Sequence, residues 1–364
     1  MANRFNNLRV PITSNHRESG STPYYGANGI QDYVKGYTHD GEFLLIAEDG
    51  ANDLKDYPIH YVSGKIWVNN HAHVLQAIEN YMNNYFLMYA LKKLNIQPYL
   101  VGGGRSKLNS DVMMRLKLYL PNREEQNKLS ALLKNIDETI TLLQRKIDNL
   151  NKVKKGLLQK LFPSEQSINP KIRFSGFNQD WEQRELGDVA AIYDGTHQTP
   201  KYKDNGIMFL SVENIKTLKS NKFISNDDFE KEFKVYPQKD DVLMTRIGDI
   251  GTTNVVAMND KLAYYVSLAL IKSKYMQPYF LSYLISSNAV QNDIWRRTLH
   301  IAFPKKINKN EIAKISISKP SLEEQLQIGN LLKNIDDTIT FLQKELEMNK
   351  QVKKGFLQKL FPKE

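Results

Sequence analysis

The chain of 364 residues contains no cysteine. Disulfides and thiolate metal sites are therefore excluded, and the composition suits a reducing compartment, so the cytoplasm is the expected location. No run of 18 apolar residues occurs, and the opening MANRFNNLRV has no apolar signal core, so neither membrane spanning nor secretion is expected. No two prolines are adjacent, which rules out the Asn-Pro-Pro or Asp-Pro-Pro of an amino-methyltransferase. Neither G-x-x-x-x-G-K-[ST] nor G-x-G-x-x-G is present, so the usual phosphate-cradling turns are missing. His71-x-His73 is the one tempting metal pair, but two histidines without a third ligand at helical spacing make a weak site, and no metal is expected. No nucleophile–base or paired-acid constellation stands out, and the chain reads as a non-enzyme.

What is present in excess is positive charge and repetition. The net charge of +10 favours a polyanionic partner, and the cations are spread along the chain rather than gathered in a tail. The stretch Pro121–Pro163 (PNREEQNKLSALLKNIDETITLLQRKIDNLNKVKKGLLQKLFP) returns at an offset of 199 as Pro320–Pro362 (PSLEEQLQIGNLLKNIDDTITFLQKELEMNKQVKKGFLQKLFP), identical at 25 of 43 positions without a gap. A period near 200 residues is far longer than that of a solenoid or propeller, so the chain is a duplicated large unit ending each time in the same segment.

That segment carries the signals of a long helix. Asn122 and Ser321 are N-cap residues, with Glu125 and Glu324 three positions on in a capping-box arrangement. Acidic residues lie at the start and lysines toward the end, complementing the helix dipole. The apolar spacing is 4-3-4-3, with a seam through Leu133, Ile136, Ile140, Leu143 and Ile147 in one copy and Ile335, Ile339, Leu342 and Leu346, preceded by Leu332, in the other. This spacing predicts a coiled coil, with Asn349, Lys154 and Lys353 as polar interruptions that set register. About 40 helical residues at about 1.5 Å each give a rod near 60 Å. The simplest arrangement is an antiparallel pair with pseudo-two-fold symmetry; a coiled coil between two copies of the chain is the alternative.

The segments between are mixed α/β. In residues 1–120, Gly41–Gly50 and Lys65–Val68 read as strands, and Tyr81–Leu94 as a helix. In residues 164–319, Asp240–Met244 matches Gly41–Leu45 at offset 199, and Tyr275–Tyr283 matches Tyr81–Tyr89 at offset 194. The two units are homologous in framework and divergent in loops, as expected of one scaffold that recognises two things. The fold class is therefore α+β: two mixed α/β domains joined by two long helices forming an antiparallel coiled coil.

Candidate contacts to nucleic acid are polar or basic residues in those loops. In the first unit they are Asn69, Asn70, His71 and His73, followed by Arg105, Ser106 and Lys107 in a glycine-rich loop whose backbone can approach a surface closely, a flexible helix-to-strand connection being the equal alternative. In the second they are Arg246, Arg296, Arg297, Lys305 and Lys306. The Tyr24-Tyr25-Gly26-Ala27-Asn28 turn suits base contact or the core equally.

The order unit, helix, unit, helix resembles the specificity (S) subunit of type I restriction–modification systems. The resemblance rests on the P-x-x-E-E-Q opening of each repeat, the LLKNID[ED]TIT core, the KKG[LF]LQKLFP ending, and RFSGFNQDWEQRELGDV at Arg173–Val189. It covers essentially the whole chain. It implies target recognition domains at 1–120 and 164–319, and conserved spacer helices at 121–163 and 320–364. It further implies a bipartite, asymmetric double-stranded DNA target with one half-site per domain, and two docked modification (M) subunits that methylate adenine. Restriction (R) subunits would join through the complex. Cofactors are expected only on those partners: S-adenosylmethionine, ATP and magnesium. The first domain departs from the family pattern, since residue 1 aligns with residue 200 and no R-F-x-G-F opening precedes it; that domain is expected to be N-terminally short. A coiled-coil adaptor protein, or an inactive recombining copy of such a subunit, are the other readings.

Overall fold

The computed structural model describes residues 1–103 and 106–361. Its contacts divide the chain into two units, residues 1–144 with 344–364, and residues 145–343. This differs from the expected partition, in which each repeated helix stood apart as its own segment. The helix ends are built into the globular cores, so each unit owns part of both helices.

The first unit is a six-stranded sheet in the order Ala2–Arg4, Ala72–Ala77, His39–Ala47, Ile59–Val68, Ser19–Gly26, Gly29–Val34. All pairings are antiparallel except Ser19–Gly26 against Ile59–Val68. Strand alternation sends Leu44 and Ile46 into a core with the helix Asn84–Lys93, while Phe43 and Leu45 enter a second core with Val62 and Val74. Burial on both faces explains why this stretch reads as an unbroken apolar run instead of an alternating one. The expected helix at 81–94 starts later, at Asn84, because the Asn83 side chain caps it by accepting from Phe86 N.

The second unit repeats the plan with smaller sheets. One has the order Ala191–Asp194, Leu268–Lys272, Val242–Ile247, Asp249–Val255, and another Phe223–Ile224, Ile207–Leu210, Leu262–Tyr264. Ser316–Lys319 pairs with Glu182–Glu185. Here Leu268 to Ile271 are buried on both faces, alternating between two cores. The helix Pro278–Ile285 occupies the place of Asn84–Lys93, and Gln277 caps it through Phe280 N as Asn83 does through Phe86 N.

The repeated segments are single helices, Arg123–Lys160 and Leu322–Leu360, called here the central and distal helices. Of the seam residues, Leu133, Leu143, Ile147, Leu332, Ile339 and Leu346 are buried, and Ile136, Ile140, Ile335 and Leu342 are half-buried. In the first unit the start of the central helix lies beside the end of the distal one. Leu129 and Leu133 share a core with Phe361, which stacks on Phe86 at 5.5 Å between ring centroids. In the second unit the end of the central helix meets the start of the distal one, where Phe162 packs on Phe280 (5.5 Å) beside Ile328 and Leu332. The pairing inside each unit is therefore antiparallel.

Lys154 and Lys353 are more than tolerated interruptions. In the first unit Lys353 Nζ lies 2.6 Å from Asp137 Oδ1 and over the Tyr89 ring, while the hydroxyls of Tyr85 and Tyr89 donate to Asp137 Oδ2. In the second, Lys154 Nζ lies 2.6 Å from Asp336 Oδ1 and over the Tyr283 ring, and the Tyr283 hydroxyl donates to Asp336 Oδ2 at 2.6 Å. The same Tyr–Asp–Lys clamp ties the globular part to both helices in each unit. Burial first, and then the hydrogen bond to aspartate, push all three phenols above their ordinary range, so the hydroxyls stay protonated donors.

The expected capping box is made in part. Glu125 N donates to Asn122 Oδ1 (2.9 Å) and Glu324 N to Ser321 Oγ (3.4 Å). The Glu324 carboxylate, buried at 1% exposure, takes a bidentate pair from Arg173 (2.9 and 2.8 Å). Arg173 also donates to Gln179 O, and Trp181 packs against Phe162 and Phe280. The R-F-x-G-F…W stretch thus ties the start of the second unit to the foot of the distal helix.

Candidate nucleic-acid interface

In each unit the candidate residues collect around one hairpin. In the first, Leu100–Val101 pairs with Lys107–Leu108, and the hairpin is fixed to the sheet by Leu108 N to Glu48 O (2.7 Å) and a bridge between Lys107 and Asp49. In the second, Leu299 N donates to Lys306 O (2.8 Å), and Ile307 N to Arg246 O (3.0 Å), with a bridge between Lys306 and Ile247. Gly248, at φ +81°, makes the tight turn between the strands beside it, and its N–H donates to Lys305 O at 2.8 Å. One scaffold position therefore carries two different loops.

Several predicted contacts turn out to be interior. His73 is fully buried: its Nδ1 accepts from Asn6 Nδ2 (2.9 Å), so Nε2 carries the proton and donates to Leu108 O (2.8 Å). Burial, the largest influence, lowers its pKa. Asn69 is buried at 4% exposure, bonded to Gln31 and to the His71 amide. Arg246 is 6% exposed, ion-paired to Asp194 with Nε donating to Ile307 O at 3.1 Å. None of these three side chains is presented to a DNA surface; the loop at 69–73 is short, and its last residue belongs to the strand Ala72–Ala77.

Others lie at the surface but are engaged. His71 Nδ1 is 2.6 Å from Asp49 Oδ1. Lys107 pairs with Glu48 Oε1 (3.0 Å), whose Oε2 accepts from Arg9 (2.6 Å). Burial opposes ionisation of Glu48, but the bonds from Arg9 and Lys107 outweigh it and hold its pKa below the ordinary value. Arg297 pairs with Asp293 (3.0 Å) and Glu311 (3.5 Å), and the half-exposed Arg296 with Glu165 (3.1 Å). Asn70 is exposed and Ser106 half-buried; Arg105 lies outside the described residues. Lys305 and Lys306 are exposed and, among the described residues, carry no ion pair.

Sequence reasoning missed the apolar part of the second hairpin. Ile301 and Phe303 are wholly exposed, at 98% and 104%, and Trp295 is 65% exposed with its ring 4.6 Å from that of His300. The available signal was an apolar IAFP stretch lying between the pairs Arg296-Arg297 and Lys305-Lys306 with no helical or strand periodicity. Also missed was a cleft of about 710 Å³ in the first unit, lined by Lys55, Lys92, Lys93, Lys350, Lys353 and Lys354 with Asp56. Its positive lining attracts polyanions, and its lysines 92, 93 and 350 align with Ser286, Ser287 and Asn151 of the other copy.

No group of acidic or histidine side chains suited to a metal occurs among the described residues, and none of the described helices is long and apolar enough to cross a membrane.

Residues 3–152 and 178–350 match the family described as type I restriction modification DNA specificity domain. A Haemophilus influenzae chain provisionally named a type I restriction enzyme specificity subunit is 31% identical over 347 residues, covering 91% of this chain and 84% of that one. A type I restriction enzyme specificity subunit of Methanocaldococcus jannaschii is 26% identical over 308 residues, covering 78% and 70%. Among solved structures, the S subunit of a type I restriction–modification system from M. genitalium has the same fold, with a TM-score of 0.72 at 14% identity over 100% of this chain and 96% of that one.

Proposed function

The chain belongs to the type I restriction–modification DNA specificity family, and from that premise we propose that it selects a bipartite DNA target for a complex whose chemistry lies on other subunits. Each unit reads one half-site through its hairpin corner, and because the hairpins differ the half-sites differ. The observation that carries this reading is the recurrence of one anchored hairpin, at one place in two homologous units, with unrelated loop sequences. A recognition scaffold varies its loops on a fixed frame in this way.

The helices supply the second part. Leu142 and Val153 of the central helix recur at offset 199 as Phe341 and Val352 of the distal one. All four lie off the seam and are exposed at 53%, 51%, 60% and 44%. Apolar positions repeated and left uncovered support docking of two copies of one partner, the modification subunit, which methylates adenine. Restriction subunits join through that complex. The continuous helices set the gap between half-sites, so adding one heptad to both should lengthen the gap and leave the half-site sequences unchanged.

Co-expression with the modification subunit, followed by sequencing of methylated adenines in the host genome, tests the proposal. Methylation confined to a two-part asymmetric motif is expected; methylation with no bipartite preference would overturn it.

A further inference from the structure

The tip of the second unit's hairpin is built in a way that neither catalysis nor folding requires. Its base is rigid: Ile307 is fully buried, and Arg246, ion-paired inside the unit, holds the Ile307 carbonyl. From this base the chain carries Ile301 and Phe303 outward with no cover at all. Both side chains forfeit the burial they would gain in a core, and exposed apolar groups concentrated at one protruding point mark a contact surface. At the foot of the loop the Trp295 and His300 rings meet at a tilt with centroids 4.6 Å apart, and His300 Nε2 donates to Trp295 O at 2.8 Å, which stiffens the approach. On the returning side stand Lys305 and Lys306, exposed and without ion pairs among the described residues.

An apolar point flanked by unpaired cations fits a polyanion with an apolar interior, and stacked bases behind a phosphate backbone are that. Proteins that unstack a base step do so with Phe, Ile, Leu, Met or Pro wedges held by nearby basic residues. In the first unit the positions that align with Ile301 and Phe303 at the offset of 199 are Gly102 and Gly104, which offer no apolar wedge, so the device belongs to one half-site alone.

We propose that Phe303, supported by Ile301, wedges between two base pairs of the half-site read by the second unit, while Lys305 and Lys306 hold the flanking phosphates. The inference rests on the specificity reading above. It implies that this half-site contains an easily unstacked step, such as pyrimidine–purine, and is chosen partly by deformability.

The test uses the full chain assembled with its modification subunits, on a duplex carrying the genome-mapped methylation site with 2-aminopurine placed at successive positions of that half-site. Wild type should raise fluorescence at one step only. Phe303→Ala should abolish that rise and weaken specific binding roughly 5- to 150-fold, with the other half-site unchanged; Phe303→Trp should retain the rise. Since Phe303 touches no core, the variant tests binding and not folding. No rise at any step in wild type, or a rise undiminished in Phe303→Ala, overturns the wedge. Loss of assembly with the modification subunits in Phe303→Ala also overturns it, by making the tip a protein contact. If wild type methylates no bipartite site, the specificity reading itself fails, a result separable from failure of the wedge.

Discussion

The first and second units share a hairpin, a capped helix and a Tyr–Asp–Lys clamp, yet differ in the loop that leaves the hairpin and in one glutamate at the helix start. In the first, Glu125 at the foot of the central helix is exposed; in the second, its counterpart Glu324 is buried and held by Arg173. In the first, the hairpin corner holds the half-exposed Lys107 beside Glu48 and His71 beside Asp49; in the second, the loop thrusts an aromatic ring into the open. The clamp and the capped helix hold helix to sheet in both units, the Arg173–Glu324 pair adds a tie in the second alone, and the loops that reach outward diverge. Under the proposed function, stability and recognition are carried by separate residues, and each should be open to disturbance without the other.

The sharpest difference in stability should come from Arg173. Arg173→Ala leaves the buried Glu324 carboxylate unpaired, a change that typically costs about 3–5 kcal/mol. The loss should fall on the second unit alone, read as faster amide exchange in its peptides and a lower urea midpoint for that unit. Equal loosening of the first unit would break the distinction.

The clamps allow a graded comparison. Asp137 serves two phenols and a lysine, and Asp336 one phenol and a lysine. Asp137→Ala should cost about 2–4 kcal/mol and Asp336→Ala about 1–3, each in its own unit, from the donors left without an acceptor. Urea denaturation of the two variants checks the ranking.

Much of this framework was legible in the sequence, because it repeats. The 4-3 seam specified both helices, and matching strands and helices emerged from fixed offsets. The helices' polar seam positions, Lys154 and Lys353, were visible, but their partners were not, since each lysine reaches an aspartate of the other repeat some 180 to 220 residues away in the chain. Arg246 misled for the same reason: nothing local to a basic residue at a strand end says that it turns inward to pair with Asp194. The IAFP stretch around Phe303 shows in the sequence only as an apolar run without periodicity, and the fold alone reveals the ring standing outside.

Acid should separate the units further. Burial is the chief cause that lowers the pKa of His39, His60 and His73 below the ordinary histidine value of 6.5, and all three lie in the first unit. A folded pKa below the unfolded one means the unfolded chain takes up the proton first. Stability from these residues is therefore complete above pH 6.5 and lost as pH falls below it. Melting followed by hydrogen exchange should show the first unit weakening as the pH falls below 6.5, and His73→Gln should flatten that dependence.

The smallest effect concerns phosphate contact. Lys306→Ala should weaken DNA binding a few-fold and reduce the slope of log affinity against log salt by about one. An unchanged slope would remove Lys306 from the interface.

The central claim is that each unit names one half of the target. Replacing residues 164–319 with the corresponding unit of a relative, and mapping methylated adenines in cells that also supply the modification subunit, tests it most directly. The account predicts that one half of the motif changes while the other half and the gap stay as they were. A change in both halves, or in neither, would contradict it.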